Sequence, residues 1–121
     1  PDLRMVVDHI AKPDIASGEL EPWATDIAVV ADIPGIYCKV SGMVTQADHS
    51  NWKIDDLKPY ASHVLEQFGP DRIMWGSDWP VSLSAARYDV VLDAALKALG
   101  KLSGEDKMKF LGRNAEVFYR L

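Results

Sequence analysis

The sequence predicts an α/β fold built on a parallel sheet. Three short apolar runs are each followed by a segment with helical spacing of apolar residues. The runs end at His9, Ser41 and Asp78, separated by 32 and 37 residues, close to the roughly 30-residue βαβ unit. Polar residues gather at the C-terminal end of each run, the edge where parallel α/β sheets place ligands. Regular alternation of this kind makes either an open, doubly wound sheet or part of a closed barrel.

The first strand is expected over Leu3 to Val7, ending in Asp8-His9. It is apolar almost throughout, as a strand covered on both faces must be. After Lys12-Pro13-Asp14 and Gly18, residues Trp23, Ile27, Val30 and Ala31 fall at helical spacing, and Pro34-Gly35 closes that helix. The second strand runs from Ile36 to Val40, ending in Ser41-Gly42, with Thr45 to Asn51 as a polar loop. Leu57, Tyr60, Ala61, Val64 and Phe68 then share one helix face; Asp56 as N-cap would put Pro59 in the first turn, where its missing N–H costs nothing. Gly69-Pro70 stops this helix. The third strand, Arg72 to Trp75, leads into Gly76-Ser77-Asp78-Trp79-Pro80. Tyr88, Leu92, Ala95, Leu96 and Leu99 give the next helix its stripe. Ser103 caps a last helix broken near Gly112, and Asn114 caps a final turn.

Composition narrows the function classes. The 121 residues are 48% hydrophobic and 26% charged with a net charge of −5, an ordinary balance for one small domain. The acidic balance and the absence of a dense Lys/Arg run argue against nucleic acid or an anionic membrane as partner. No apolar stretch has the length of a membrane span, and no signal-like segment is present. The single Cys38 excludes an internal disulfide framework and a Cys-rich zinc site. A cytoplasmic protein is expected, a mature exported one being the alternative. The abrupt start, Pro1 followed almost at once by a strand, leads us to expect sequence upstream.

Alternation along the second strand puts Tyr37, Lys39 and Ser41 on one face and Ile36, Cys38 and Val40 on the other. The apolar set suits packing against helices, which leaves Lys39 and Ser41 facing a barrel interior or cleft. On the same count His9 shares a face with Val7 and Met5, and Asp78 with Gly76 and Met74. His9 suits a metal ligand, a general base or a group that polarises a carbonyl, or else a buried histidine bonded across the strand ends. Asp78 suits a general base or a metal ligand, or else a turn former before Pro80. No Gly-rich phosphate loop follows any strand. A non-catalytic α/β fragment or binding module without activity of its own is the alternative to an enzyme.

Three segments carry a family resemblance: Val7 to Pro13 (VDHIAKP), Tyr37 to Gly42 (YCKVSG) and Phe68 to Val81 (FGPDRIMWGSDWPV). They resemble the amidohydrolase-2 family, and within it the lactone-hydrolysing branch. The likeness covers essentially residues 1–121 as one domain, the third segment being the most specific. It implies the C-terminal part of a (β/α)8 TIM barrel, strands six to eight with their helices. It also implies a hydrolase acting on a lactone or carboxylic ester. His9 then matches the family's sixth-strand histidine and Asp78 its eighth-strand aspartate, which activates the hydrolytic water. Lys39 and Trp79 match positions near the pocket, Lys39 being equally suited to pairing with a carboxylate inside the barrel. Trp79 and Trp52 are candidate pocket walls. The family's first-strand His-X-His pair has no counterpart here, and neither His49 nor His63 substitutes for it. A barrel needs about 250 residues, and zinc needs three or four protein ligands. A divalent metal such as zinc, held partly by His9 and Asp78, is therefore expected only in a complete barrel and not for this chain alone. The expected protein partner is the N-terminal part of the barrel, or self-association.

Overall fold

The computed structural model describes residues 3–121; Pro1 and Asp2 lie outside the described residues. Three parallel strands form one sheet in the order β1 (Val6–Val7), β2 (Tyr37–Val40), β3 (Ile73–Trp75). Each is shorter than its apolar run. Pairing begins slightly earlier on the first, where the Met5 carbonyl accepts from the Tyr37 N–H at 3.1 Å. Parallel neighbours need long crossovers, and helices supply them. Helix α1 (Trp23–Ala31) lies between β1 and β2, while α2 (Met43–Gln46) and α3 (Ile54–Phe68) lie between β2 and β3. After β3 come α4 (Tyr88–Leu99), α5 (Gly104–Met108), a π-helical stretch at Lys109–Arg113 and α6 (Asn114–Tyr119).

The register decides which residues share a face. Val7 lies opposite Cys38, Cys38 opposite Ile73, Lys39 opposite Met74 and Val40 opposite Trp75. Cys38, Val40 and Ile73 are buried with Ile27 and Ala31 of α1, Leu57 and Val64 of α3, and Val91 and Ala95 of α4. Helices therefore cover this face, and the opposite one carries Val6, Tyr37, Lys39 and Met74. Val7 departs from expectation: it packs against the helical core instead of sharing the face of Lys39 and Met74. A strand this short has its facing set by register with its neighbour, and a shift of one residue reverses it.

The helices follow their apolar periodicity with instructive exceptions. In α3 the buried residues are Leu57, Tyr60, Ala61, Val64 and Phe68, as the spacing predicts. Its N-cap is Lys53, not Asp56. Asp56 instead occupies the third helical position and accepts from the Lys53 N–H at 2.8 Å. Pro59 thus falls in the second turn, on the exposed side, where the carbonyl it cannot pair is open to water. The α4 stripe is rotated: Val91, Ala94, Ala95, Ala98 and Leu99 are buried, whereas Tyr88 is exposed. Small alanines let α4 approach closely, so the larger Leu92 and Leu96 flank the contact instead of forming it. The expected Thr45–Asn51 loop begins in fact inside α2.

Ser103 caps α5 as expected, accepting from the Asp106 N–H at 3.1 Å. Beyond it the helix does not break at Gly112 but widens into the π turn and continues. Asn114 is buried and its Nδ2 donates to the carbonyls of Pro70 (2.7 Å) and Ile73 (2.8 Å). It is a clamp on β3, not a cap. Phe110, one helical turn earlier, packs its ring 6.4 Å from that of Trp75.

Candidate active site

His9 reaches the C-terminal edge of the sheet by a turn, not by strand alternation. Residues His9, Ile10, Ala11 and Lys12 have φ of 48°, 45°, 61° and 50°, four consecutive left-handed residues, none of them glycine. That conformation costs an L-residue about 1–2 kcal/mol, and for a β-branched residue such as Ile10 it is a genuine outlier. Burial holds it: Ile10 has no exposed surface and joins the core. Its carbonyl accepts the Trp23 indole N–H at 2.7 Å, and the His9 carbonyl accepts from the Lys12 N–H at 2.8 Å. Strain persists where surrounding structure over-determines it, and such residues cluster at functional sites.

The turn sets the imidazole between two strand ends. His9 Nδ1 lies 2.7 Å from Ser41 Oγ, just beyond β2. His9 Nε2 faces two carboxylates, Asp78 Oδ1 and Asp8 Oδ2, each at 3.4 Å. Carboxylates accept only, so the tautomer with hydrogen on Nε2 suits that side of the ring, with Nδ1 then accepting from the Ser41 hydroxyl. Asp78 is itself left-handed, φ 57°, and only its backbone serves the following turn, its carbonyl accepting from the Ser82 N–H at 2.8 Å. The carboxylate is free of capping: Oδ2 accepts from Thr45 Oγ1 at 2.9 Å, and Oδ1 is turned to His9. His9 is 24% and Asp78 13% exposed, half-sheltered yet reachable.

Two glycines make the room. A Cβ on Gly76 would stand 2.8 Å from Ser41 Cβ and 3.1 Å from its Oγ, closer than carbon atoms pack. Gly42 has φ +69°, and a Cβ there would stand 3.3 Å from His9 Cβ and 3.4 Å from Asp78 Oδ2.

The other candidates are placed differently. Lys39 sits beside the cluster, its Nζ 3.6 Å from Asp8 Oδ1. Trp79 follows Asp78 and is 61% exposed, an indole standing at the rim. Trp52 packs against the helical core and donates to the Ala85 carbonyl at 3.2 Å; no hydrogen bond joins it to the cluster. His49 and His63 bond the carbonyls of Thr45 and Ala24 and so brace helices. Asp8 and Thr45 join the cluster without having been singled out in the sequence. Asp8 carries a signal, being the polar residue at a strand end. Thr45 carries none, since its contact depends on α2 starting directly after the left-handed Gly42.

A divalent metal does not fit these residues by themselves. Among the described residues no group of three or more His, Cys, Asp or Glu side chains is disposed to hold an ion, and His9 Nδ1 is already occupied by Ser41. Cys38, the one thiol, is buried under the helices, and burial followed by the charge of Asp8 pushes it up to about 12. It is neutral and inert.

Known proteins resemble this chain in sequence and fold. The Amidohydro_2 family, described as amidohydrolase, matches residues 1–121. An L-fucono-1,5-lactonase of Burkholderia ambifaria is 39% identical over 126 residues, covering 100% of this chain and 43% of that protein. A crystal structure of an amidohydrolase from Burkholderia multivorans with bound HEPES superposes with TM-score 0.89 at 34% identity, covering 98% of this chain and 45% of the other. A second crystal form, with bound zinc, gives 0.88 at 35% identity, covering 98% and 44%. The chain thus spans less than half the length of these relatives. The expected fold, the C-terminal part of a (β/α)8 barrel, is the one found. A family match over residues 1–121, a lactonase relative and two close superpositions agree: the chain belongs to the amidohydrolase family.

Proposed function

We propose that this chain contributes the water-activating carboxylate, Asp78, and its partner His9 to the active site of a hydrolase that opens a small-molecule lactone. The observation that carries this is the disposition of Asp78. One carboxylate oxygen is anchored by Thr45 at 2.9 Å, and the other faces His9 Nε2 at 3.4 Å. That distance is long for a direct hydrogen bond, leaving Oδ1 free to accept a proton from a water seated between Asp78 and substrate. The lactonase relative supports the lactone as substrate class.

The step balances as follows. Asp78 Oδ1 takes one proton from water as the water oxygen bonds to the lactone carbonyl carbon. The tetrahedral centre collapses with breakage of the ring C–O bond. The departing ring oxygen takes the proton back from Asp78, giving the open hydroxy acid. His9 donates through Nε2 to oxygen charge that develops beside Asp78. Lys39 is a cation beside Asp8 and favours an acidic or polyhydroxylated substrate, and Trp79 offers an apolar wall at the rim.

The test is Asp78→Asn in the full-length protein. The amide retains the shape and the Thr45 contact and cannot take a proton. Hydrolysis of a panel of sugar 1,5-lactones should fall about 10²–10⁴-fold, with circular dichroism unchanged. A folded variant that retains near-parental turnover rejects Asp78 as the base.

A further inference from the structure

We infer that Trp23, a residue of α1 outside the His9–Asp78 cluster, is a positioning residue that sets the imidazole of His9 through the left-handed turn. This rests on the catalytic role proposed for His9. Four features carry it. The turn His9–Lys12 is composed wholly of left-handed, non-glycine residues, so nothing in the local sequence favours it. Its middle carbonyl, that of the fully buried Ile10, has its hydrogen bond from outside the turn, the Trp23 Nε1–H at 2.7 Å. The indole is itself fixed. Its ring centroid lies 5.2 Å from that of Tyr60 and 5.4 Å from that of His63. Tyr60 in turn donates to the Glu19 carbonyl at 2.7 Å, and His63 bonds the Ala24 carbonyl at 2.8 Å. Finally, His9 is the first residue of the turn, and its ring meets Ser41 at 2.7 Å and Asp78 at 3.4 Å. Were the turn to relax toward right-handed φ, the His9 side chain would leave both partners.

The energetic logic is a strained segment held by the burial of Ile10, by its own Lys12–His9 bond and by one directional bond from outside it, between a fixed ring and a buried carbonyl. Removing the bond orphans the Ile10 carbonyl in the core, a state buried polar groups avoid. The cheapest relief is for the turn to rearrange. Making left-handed φ cost-free inside the turn should restore it without the indole. Ala11 serves this purpose, having φ 61° and an exposed side chain. Glycine there removes the steric penalty and no contact of the cluster.

The experiment is a double-mutant cycle in the full-length protein with Trp23→Phe, Ala11→Gly and the pair. Phenylalanine keeps an aromatic ring against Tyr60 and His63 and deletes the N–H together with part of the indole's volume, a packing loss that Ala11→Gly would not restore. For Trp23→Phe, kcat on the lactone should fall about 10- to 100-fold, the scale of a remote misplacement of a reacting group, with KM within about twofold. Ala11→Gly alone should leave kcat within about twofold, and the pair should recover most of the loss. A purely structural tryptophan would lower the melting temperature, leave turnover per folded molecule unchanged and combine additively with Ala11→Gly; that result overturns the inference. Imidazole NMR signals of His9, assigned against His9→Gln, give a readout independent of turnover. They should move in Trp23→Phe and return in the pair. If the parent protein hydrolyses no lactone yet these signals move and return, the hydrolase proposal fails and the positioning stands. Signals unchanged in Trp23→Phe overturn the positioning whatever the activity.

Discussion

Gly76→Ala tests whether the C-terminal strand ends act as one unit. The new Cβ would lie 2.8 Å from Ser41 Cβ and 3.1 Å from Ser41 Oγ. Carbon atoms rest at about 3.5–4.0 Å, so Ser41 or the β3 backbone must retreat by about 1 Å. Ser41 is 3% exposed and cannot swing into solvent. Moving its hydroxyl that far would stretch the 2.7 Å contact with His9 Nδ1 beyond hydrogen-bonding range. Two effects should appear together in the full-length protein. Overpacking a buried contact costs about 1–3 kcal/mol, measurable as a lowered midpoint of urea unfolding at constant slope. A misplaced imidazole should cut kcat about 10²-fold, read as initial rates of lactone opening on folded protein. Gly112→Ala is the control, since a Cβ there meets nothing within 4 Å; it should leave turnover unchanged and, inside a helical stretch, stabilise by about 0.4–1 kcal/mol. The coupling argument is refuted if Gly76→Ala loses stability while turnover per folded molecule stays parental. Unchanged stability would refute the clash itself.

Three further outcomes follow from the same geometry. Gly42→Ala combines a left-handed φ of +69° with approach to His9 and Asp78; it should destabilise by about 1–3 kcal/mol and lower kcat, checked by the same pair of assays. Asn114→Ala removes both bonds to the carbonyls of Pro70 and Ile73, leaving the buried Ile73 acceptor unpaired; thermal unfolding should show a loss of about 1–3 kcal/mol. Burial, then the charge of Asp8, raises Cys38 from 9.0 to about 12, so the unfolded chain loses that proton first as pH rises. Stability should therefore be intact below pH 9 and decline by about 1.4 kcal/mol per pH unit above it, levelling near the folded value; Cys38→Ala should remove that part of the slope in urea titrations.

Much of the layout is written in local pattern. Period-two and period-3.6 apolar spacing report which side of an element avoids water, and that property belongs to the segment itself. Hence the buried set of α3, the helix-facing Cys38 and Val40 and the Ser103 cap all follow from neighbours within a few residues. The candidate pair His9 and Asp78 was legible as polar residues ending apolar strands and as parts of two recognisable segments. Where pattern failed, a nonlocal partner had intervened. Val7 changed face because register, not its own sequence, fixes the facing of a strand two residues long. The α4 stripe rotated because alanines allow a closer approach than leucines. Asn114 became a clamp because the helix ran on through a π turn.

The sequence by itself determined the alternation of strand and helix, the parallel sheet, the family and the two residues at its polar edge. Only the tertiary structure decided how those residues meet. His9 stands against Ser41 and Asp78 through four left-handed residues that local preference disfavours, and Thr45 reaches Asp78 across the start of a helix expected to be loop. Intrinsic preference acts over a few bonds and opposes that turn. It is held by the burial of Ile10 and the bond from Trp23, contacts that exist only once α1 has packed against the sheet.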